Sequence, residues 1–143
     1  MVKLPLKIIK KDSKYKAITS IQELQSGVKN VRKNLTYIED DYEILITTIR
    51  RILELLSKEK SGRIDARFYW LIGDYIISFL NRIDSLGYYI PEQNATIGKC
   101  TGVSETTIYR IVSLRKKIGN LSFIDPDIPW TKYLGKKHVE NSL

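Results

Sequence analysis

Ser104, Glu105, Thr106, Tyr109, Arg110 and Ser113 are hydrogen-bonding side chains set close together, and Lys116 and Lys117 follow them. On an α-helix these positions turn outward while Ile108 and Ile111 turn inward, because each residue advances about 100° around the axis. The group contains no nucleophile beside a base, so its chemistry is recognition rather than bond making. Arg110 is suited to pair bidentately with guanine, and Glu105 to accept from cytosine N4. Thr106 and Ser113 suit phosphate oxygens, which position a protein without specifying sequence. Lys116 and Lys117 would add salt-dependent attraction to a polyanion. These eight residues are the candidate contacts to double-stranded DNA.

Other reactive residue types are sparse. Glu39, Asp40, Asp41 and Glu43 crowd together, but a helix spreads them around its surface, and no histidine or second carboxylate motif joins them. They are expected to be a solvated face that repels a duplex locally and turns that part of the fold away from it. Cys100 is the single cysteine and His138 the single histidine, which excludes an intramolecular disulfide and makes a zinc set improbable. Cys100 is expected to be a small buried core residue. No metal, cofactor or small-molecule substrate is expected, and the chain is not expected to be an enzyme.

Two helices crossing steeply must position the recognition residues, and the residues from Asn94 to Ser113 are suited to build them. Ile97 faces inward and Gly98 permits close packing of the second helix. Gly102 occupies the exit of the first helix, a place that favours positive φ. Val103 fills the gap, and Ser104 is a natural N-cap. The run I-G-x-x-x-G-V-S-x-x-T-I-x-R resembles the core of the repressor and resolvase helix-turn-helix families. That resemblance implies a helix from Ser104 to about Lys117 lying in a major groove.

The remaining residues support this placement. A chain of 143 residues suffices for one compact domain or for a small domain with an extended arm, and its net charge of +8 suggests a polyanionic partner, nucleic acid or an acidic membrane surface. No apolar run approaches the ~18 residues of a membrane span, and the start lacks a signal-peptide pattern; a cytoplasmic location is expected. Residues 1–16 carry Lys3, Lys7, Lys10, Lys11, Lys14 and Lys16 against Asp12. They are expected to form either a basic arm along phosphates or in a minor groove, or a disordered, solvated tail. The period-two alternation over 2–8 also fits a short strand.

Ser20 and Glu23 have capping-box spacing. From there Ile21, Leu24, Val28, Val31, Leu35, Ile38, Tyr42, Leu45, Ile49, Ile52 and Leu56 recur in steps of three and four. This heptad seam over 20–57 predicts a multi-helix bundle in preference to a two-stranded coiled coil, built from one chain or, as preferred here, from two, with the seam as one helix or as a hairpin broken near Asn34–Tyr37. Ser57–Gly62 is a linker. Residues 63–87 are apolar nearly all round, which predicts a central helix, with Gly73 at a close contact and Gly87 just past its end. Pro91 suits the first turn of the next helix. Residues 129–134 predict a helical turn that docks Trp130, and residues 135–143 a flexible basic tail.

The segment A-R-F-Y-W-L-I-G-D-Y-I at 66–76, the two helices after it and I-P-W-T-K-Y at 128–133 resemble the N-terminal region of YhcG-type nucleases. In that family a helical DNA-binding region precedes a PD-(D/E)xK nuclease domain. No D…(D/E)-x-K pattern occurs here in a predicted strand, so the resemblance implies DNA binding without the nuclease. The expected molecule is all-α: a helical bundle with a long heptad-patterned helix or helical hairpin plus a helix-turn-helix in residues 63–134. It is expected to be a homodimeric, sequence-specific DNA reader such as a transcriptional regulator. The alternatives are an assembly subunit that binds another protein through its bundle, or a stand-alone DNA-binding part of a nuclease system.

Overall fold

The apolar run after Asp65 forms helix α2, Ala66–Ser85, with Ala66, Tyr69, Trp70, Ile72, Gly73, Ile76, Phe79 and Ile83 buried. Burial on so many sides makes it the axis about which the other elements pack. The computed structural model describes residues 2–4, 6–11, 14–19, 31–58 and 65–134. The Ser20–Glu23 capping box, the first third of the heptad seam, Gly62 and the tail 135–143 lie outside them.

Asp65 begins α2 as its N-cap, accepting from the backbone N–H of Arg67 at 3.0 Å, while the Arg67 guanidinium grips both carboxylate oxygens. The side-chain bonds from Arg67 hold the Asp65 carboxyl below the usual carboxylate range. A lowered folded-state pKa stabilises above the unfolded value, and the gain disappears as pH falls through the folded value. Asp65→Ala is therefore expected to lose about 0.5–2 kcal/mol at pH 7 in urea denaturation. The difference from the parent chain should close on acidification.

Helix α1, Val31–Ser57, runs unbroken through Asn34–Tyr37, with the Thr36 hydroxyl donating to the Arg32 carbonyl. It packs against α2 and the N-terminal strands. Ile38, Tyr42, Leu45, Ile46 and Ile49 are buried, and Arg82 of α2 forms a two-bond ion pair with Asp41 at 2.7 and 3.0 Å. The middle of the heptad seam thus faces the chain's own core. Those side chains are covered within one molecule.

The N-terminal residues are built into the fold. Strand β1, Val2–Lys3, pairs in parallel with β4, Tyr88–Tyr89, just after α2. Strands β2, Leu6–Lys11, and β3, Lys14–Thr19, form an antiparallel hairpin that places Leu6 opposite Thr19, Ile8 opposite Ala17 and Lys10 opposite Tyr15. Leu4, Leu6 and Ala17 are buried. The carboxylate of Glu43 accepts from the Ala17 backbone N–H at 2.7 Å, closing part of an otherwise open strand edge. The chain is mostly helical, as expected, but carries two small sheets that an all-α description omits. The arm packs because its alternation continues into β3, which gives the hairpin an apolar inner face for α1 to cover.

At the far end, α5, Trp130–Tyr133, sets the Trp130 ring against Tyr69 with centroids 4.3 Å apart. Among the described residues no helix is long and apolar enough to cross a membrane.

Candidate nucleic-acid interface

Helix α3, Gln93–Thr101, and helix α4, Glu105–Lys117, are joined by Gly102, Val103 and Ser104. Gly102 takes φ 78°, and its N–H and that of Val103 both return to the Gly98 carbonyl, at 2.8 and 3.0 Å. A Cβ on Gly98 would lie 2.5 Å from the Val103 carbonyl oxygen, so the turn folds directly onto α3 at a place where no side chain fits. The Ser104 hydroxyl accepts from the Thr107 N–H at 3.1 Å and donates to the Thr107 hydroxyl at 2.8 Å. It satisfies an orphan donor at the start of α4. Pro91 stands ahead of α3 rather than in its first turn. Entry to the helix is made by Glu92, at φ 48° and ψ 50°, a left-handed conformation uncommon outside glycine.

Helix α4 is oriented by α2, its most extensive partner. Ile108, Ile111, Val112 and Leu114 are buried. Gly73 brings the α2 backbone against α4, since a Cβ there would be 2.7 Å from the Ile111 carbonyl oxygen. The indole N–H of Trp70 donates to the Ile118 carbonyl at 2.6 Å, just past the end of α4. Arg115 lies over the Trp70 ring at 4.7 Å and pairs with Asp74 at 2.9 Å. These contacts tie both the backbone and one cation of the last turn to the central helix.

What remains outward is a polar strip. Ser104, Glu105, Thr106, Tyr109, Arg110, Lys116 and Lys117 are exposed and Ser113 is half-buried. From Glu105 onward they fall within about 140° of arc at 100° per residue. The structure therefore brings the sequence-derived residues onto one face, with Ser104 at its edge and engaged as the cap. Lys116 borders a depression that also contains Asp84. Arg110 forms no ion pair or hydrogen bond among the described residues, in contrast to Arg115. No family model, curated protein or solved structure matches this chain.

The acidic cluster is divided among structural tasks on α1. Asp41 holds Arg82 and Glu43 caps the strand edge, and no group of three or more metal-ligating side chains gathers among the described residues. Cys100 is buried and accepts from the Tyr42 hydroxyl at 3.2 Å. Burial first, and then that hydrogen bond, push the Tyr42 phenol above its ordinary range, so it stays a donor.

Sequence reasoning missed Arg50. Its guanidinium donates through Nε at 2.8 Å and through Nη2 to the Cys100 carbonyl near the C-terminus of α3, where a cation is favoured. Through Nη1 it donates to the Tyr15 hydroxyl at 3.0 Å, and it lies 4.2 Å from the Tyr15 ring centroid. One side chain thus joins α1, α3 and the hairpin. Its partners lie 35 and 50 residues away, beyond any local pattern.

Proposed function

We propose that this chain is a DNA-binding protein in which α3 and α4 act as a helix-turn-helix, with α4 in the major groove. The observation that carries the reading is the outward strip of α4, with Arg110 unpaired among the described residues on a helix that follows a tight, capped turn, while the opposite face is locked to α2. A reader needs that combination: donors free for base edges on a helix that cannot reorient. Arg110 and Glu105 are the proposed base contacts, Thr106, Tyr109 and Ser113 join them at bases or phosphates, and Lys116 and Lys117 supply sequence-independent affinity. The net charge of +8 supports a polyanionic partner. The proposed role is non-enzymatic and cytoplasmic, as a site-specific regulator or as the DNA-binding part of a nuclease system.

Two-fold pairing belongs to the same proposal, on a different surface from the heptad seam. Tyr37, Ile44 and Leu55 are exposed along one side of α1, where a second copy could pack and present a second α4 to a palindromic site. The same stripe is the observation that favours an assembly subunit, in which α1 would bind another protein and α4 would serve only in packing.

Fluorescence anisotropy separates these readings. The protein is titrated against duplex DNA from upstream of its own gene and against a scrambled duplex, each at two salt concentrations, with light scattering on the same samples. Tighter binding to the native duplex that survives the higher salt is expected, with two chains per duplex. Equal binding that vanishes with salt would leave only a basic surface and move the assembly reading to first place. One chain per duplex would remove the two-fold pairing.

A further inference from the structure

A groove of about 530 Å³ lies between the hairpin and α3, away from the outward strip of α4. Its construction follows from strand register. Side chains alternate across a strand, so Leu6, Ile8 and Lys10 share one face of the hairpin with their cross-strand partners Ala17 and Tyr15. Along that face burial falls steadily: Leu6 and Ala17 are buried, Ile8 and Tyr15 half-buried, and Lys10 exposed. The wall is therefore apolar at depth and becomes polar at the mouth. Across the groove α3 contributes Thr96, Lys99 and Cys100, with Pro91 and Glu92 at the lip.

The charge balance is one-sided. Among the described residues Lys10, Arg50 and Lys99 line the groove with Glu92 as the one carboxylate, and Lys7 borders it from the other face of β2. Arg50 still has donors to offer: of the five N–H groups of a guanidinium, three are engaged, by the Cys100 carbonyl twice and by the Tyr15 hydroxyl once. The other two N–H groups have no acceptor among the described residues. The Tyr15 hydroxyl accepts from Arg50, and its own proton has no acceptor among the described residues. The lip is held by Glu92 in the left-handed region, the one described non-glycine residue with positive φ. Such a conformation costs about 1 kcal/mol or more and tends to persist near functional surfaces.

We propose that this groove binds a small organic anion, a phosphate monoester or carboxylate carrying an apolar body. The anionic group sits between Lys10, Lys99 and the Arg50 guanidinium, and the apolar body lies against Ile8 and Pro91. The size falls within the usual range for small-molecule sites, which combine an apolar lining with a few convergent polar groups. A bare inorganic ion would leave the apolar wall unused, and a neutral apolar molecule would leave the cations unpaired. The site stands apart from α4 and does not depend on the DNA-binding proposal.

The test uses the full chain labelled with ¹⁵N and phenyl phosphate as the probe, with inorganic phosphate and phenol as the two halves of that probe. Saturable amide shifts confined to β2 and to 92–100 are expected. Apparent affinity for phenyl phosphate should exceed that for either half by at least about tenfold, which corresponds to about 1.4 kcal/mol. The double variant Lys10→Gln and Lys99→Gln changes two exposed side chains, so it should retain its far-UV circular dichroism and lose at least about tenfold of that affinity. Shifts scattered over lysines elsewhere, a non-saturating response, or equal binding by the double variant would overturn the proposal. So would a duplex DNA that shifts the same groove amides and is not displaced by phenyl phosphate, because the groove would then follow a nucleic-acid backbone.

Discussion

Gly98→Ala is expected to destabilise the protein by about 1–3 kcal/mol, against the ordinary tendency of the substitution. In an exposed helix interior, alanine is favoured over glycine by about 1 kcal/mol. At position 98 the added Cβ would stand 2.5 Å from the Val103 carbonyl oxygen and 3.5 Å from the Glu105 backbone nitrogen. Both are backbone atoms, and real Cβ atoms essentially never approach within 3.0 Å of another heavy atom. The turn would have to lift off α3, which strains the core beneath it. Overpacking of that kind typically costs 1–3 kcal/mol and occasionally more, so the steric effect exceeds the gain in helix propensity. Chemical denaturation of Gly98→Ala beside Gly119→Ala isolates the effect, since a Cβ on Gly119 meets nothing within 4 Å. A Gly98 variant as stable as the parent would mean that the turn is not packed this closely.

Arg110→Ala is expected to weaken binding to a specific duplex by about 1–3 kcal/mol, about 5- to 150-fold, while leaving stability within about 0.5 kcal/mol. The separation of the two readouts follows from placement. Arg110 is exposed and has no ion-pair partner among the described residues, so folding gains little from it. Arg115, five positions on, makes the opposite investment: its guanidinium is held by Asp74 and the Trp70 ring. If the Arg110 variant lost affinity equally for specific and scrambled duplexes, with a shallower salt slope, Arg110 would contact phosphate instead of a base. An unchanged affinity would remove α4 as the reading helix and favour the assembly alternative.

The two exposed surfaces proposed to take partners differ in character. The α4 strip is polar and cationic, suited to a hydrated polyanion, whereas the stripe of Tyr37, Ile44 and Leu55 on α1 is apolar and suited to another protein surface. A DNA reader that pairs through α1 would use both at once, and a packing subunit would use only the second.

Local chemistry was legible in the amino-acid sequence because it acts over a few residues. The apolar run that became α2, the Gly102 turn, the Ser104 cap and the outward positions of α4 all depend on spacings shorter than two helical turns. Tertiary structure decided the rest. The heptad seam specified a helix with a buried stripe, but only packing assigned Ile38, Tyr42 and Ile49 to the chain's own α2 and hairpin rather than to a second chain. A seam is equally satisfied by any apolar surface of the right shape. The N-terminal lysines drew attention to charge, while the alternation of Leu6 and Ile8 with Ala17 determined that the segment folds as a hairpin against α1. The groove beside α3 has no signature in the sequence at all. It lies where the hairpin meets α3, and Arg50 in its lining reaches Cys100 and Tyr15 across 50 and 35 residues, contacts that depend on where the backbone has already gone.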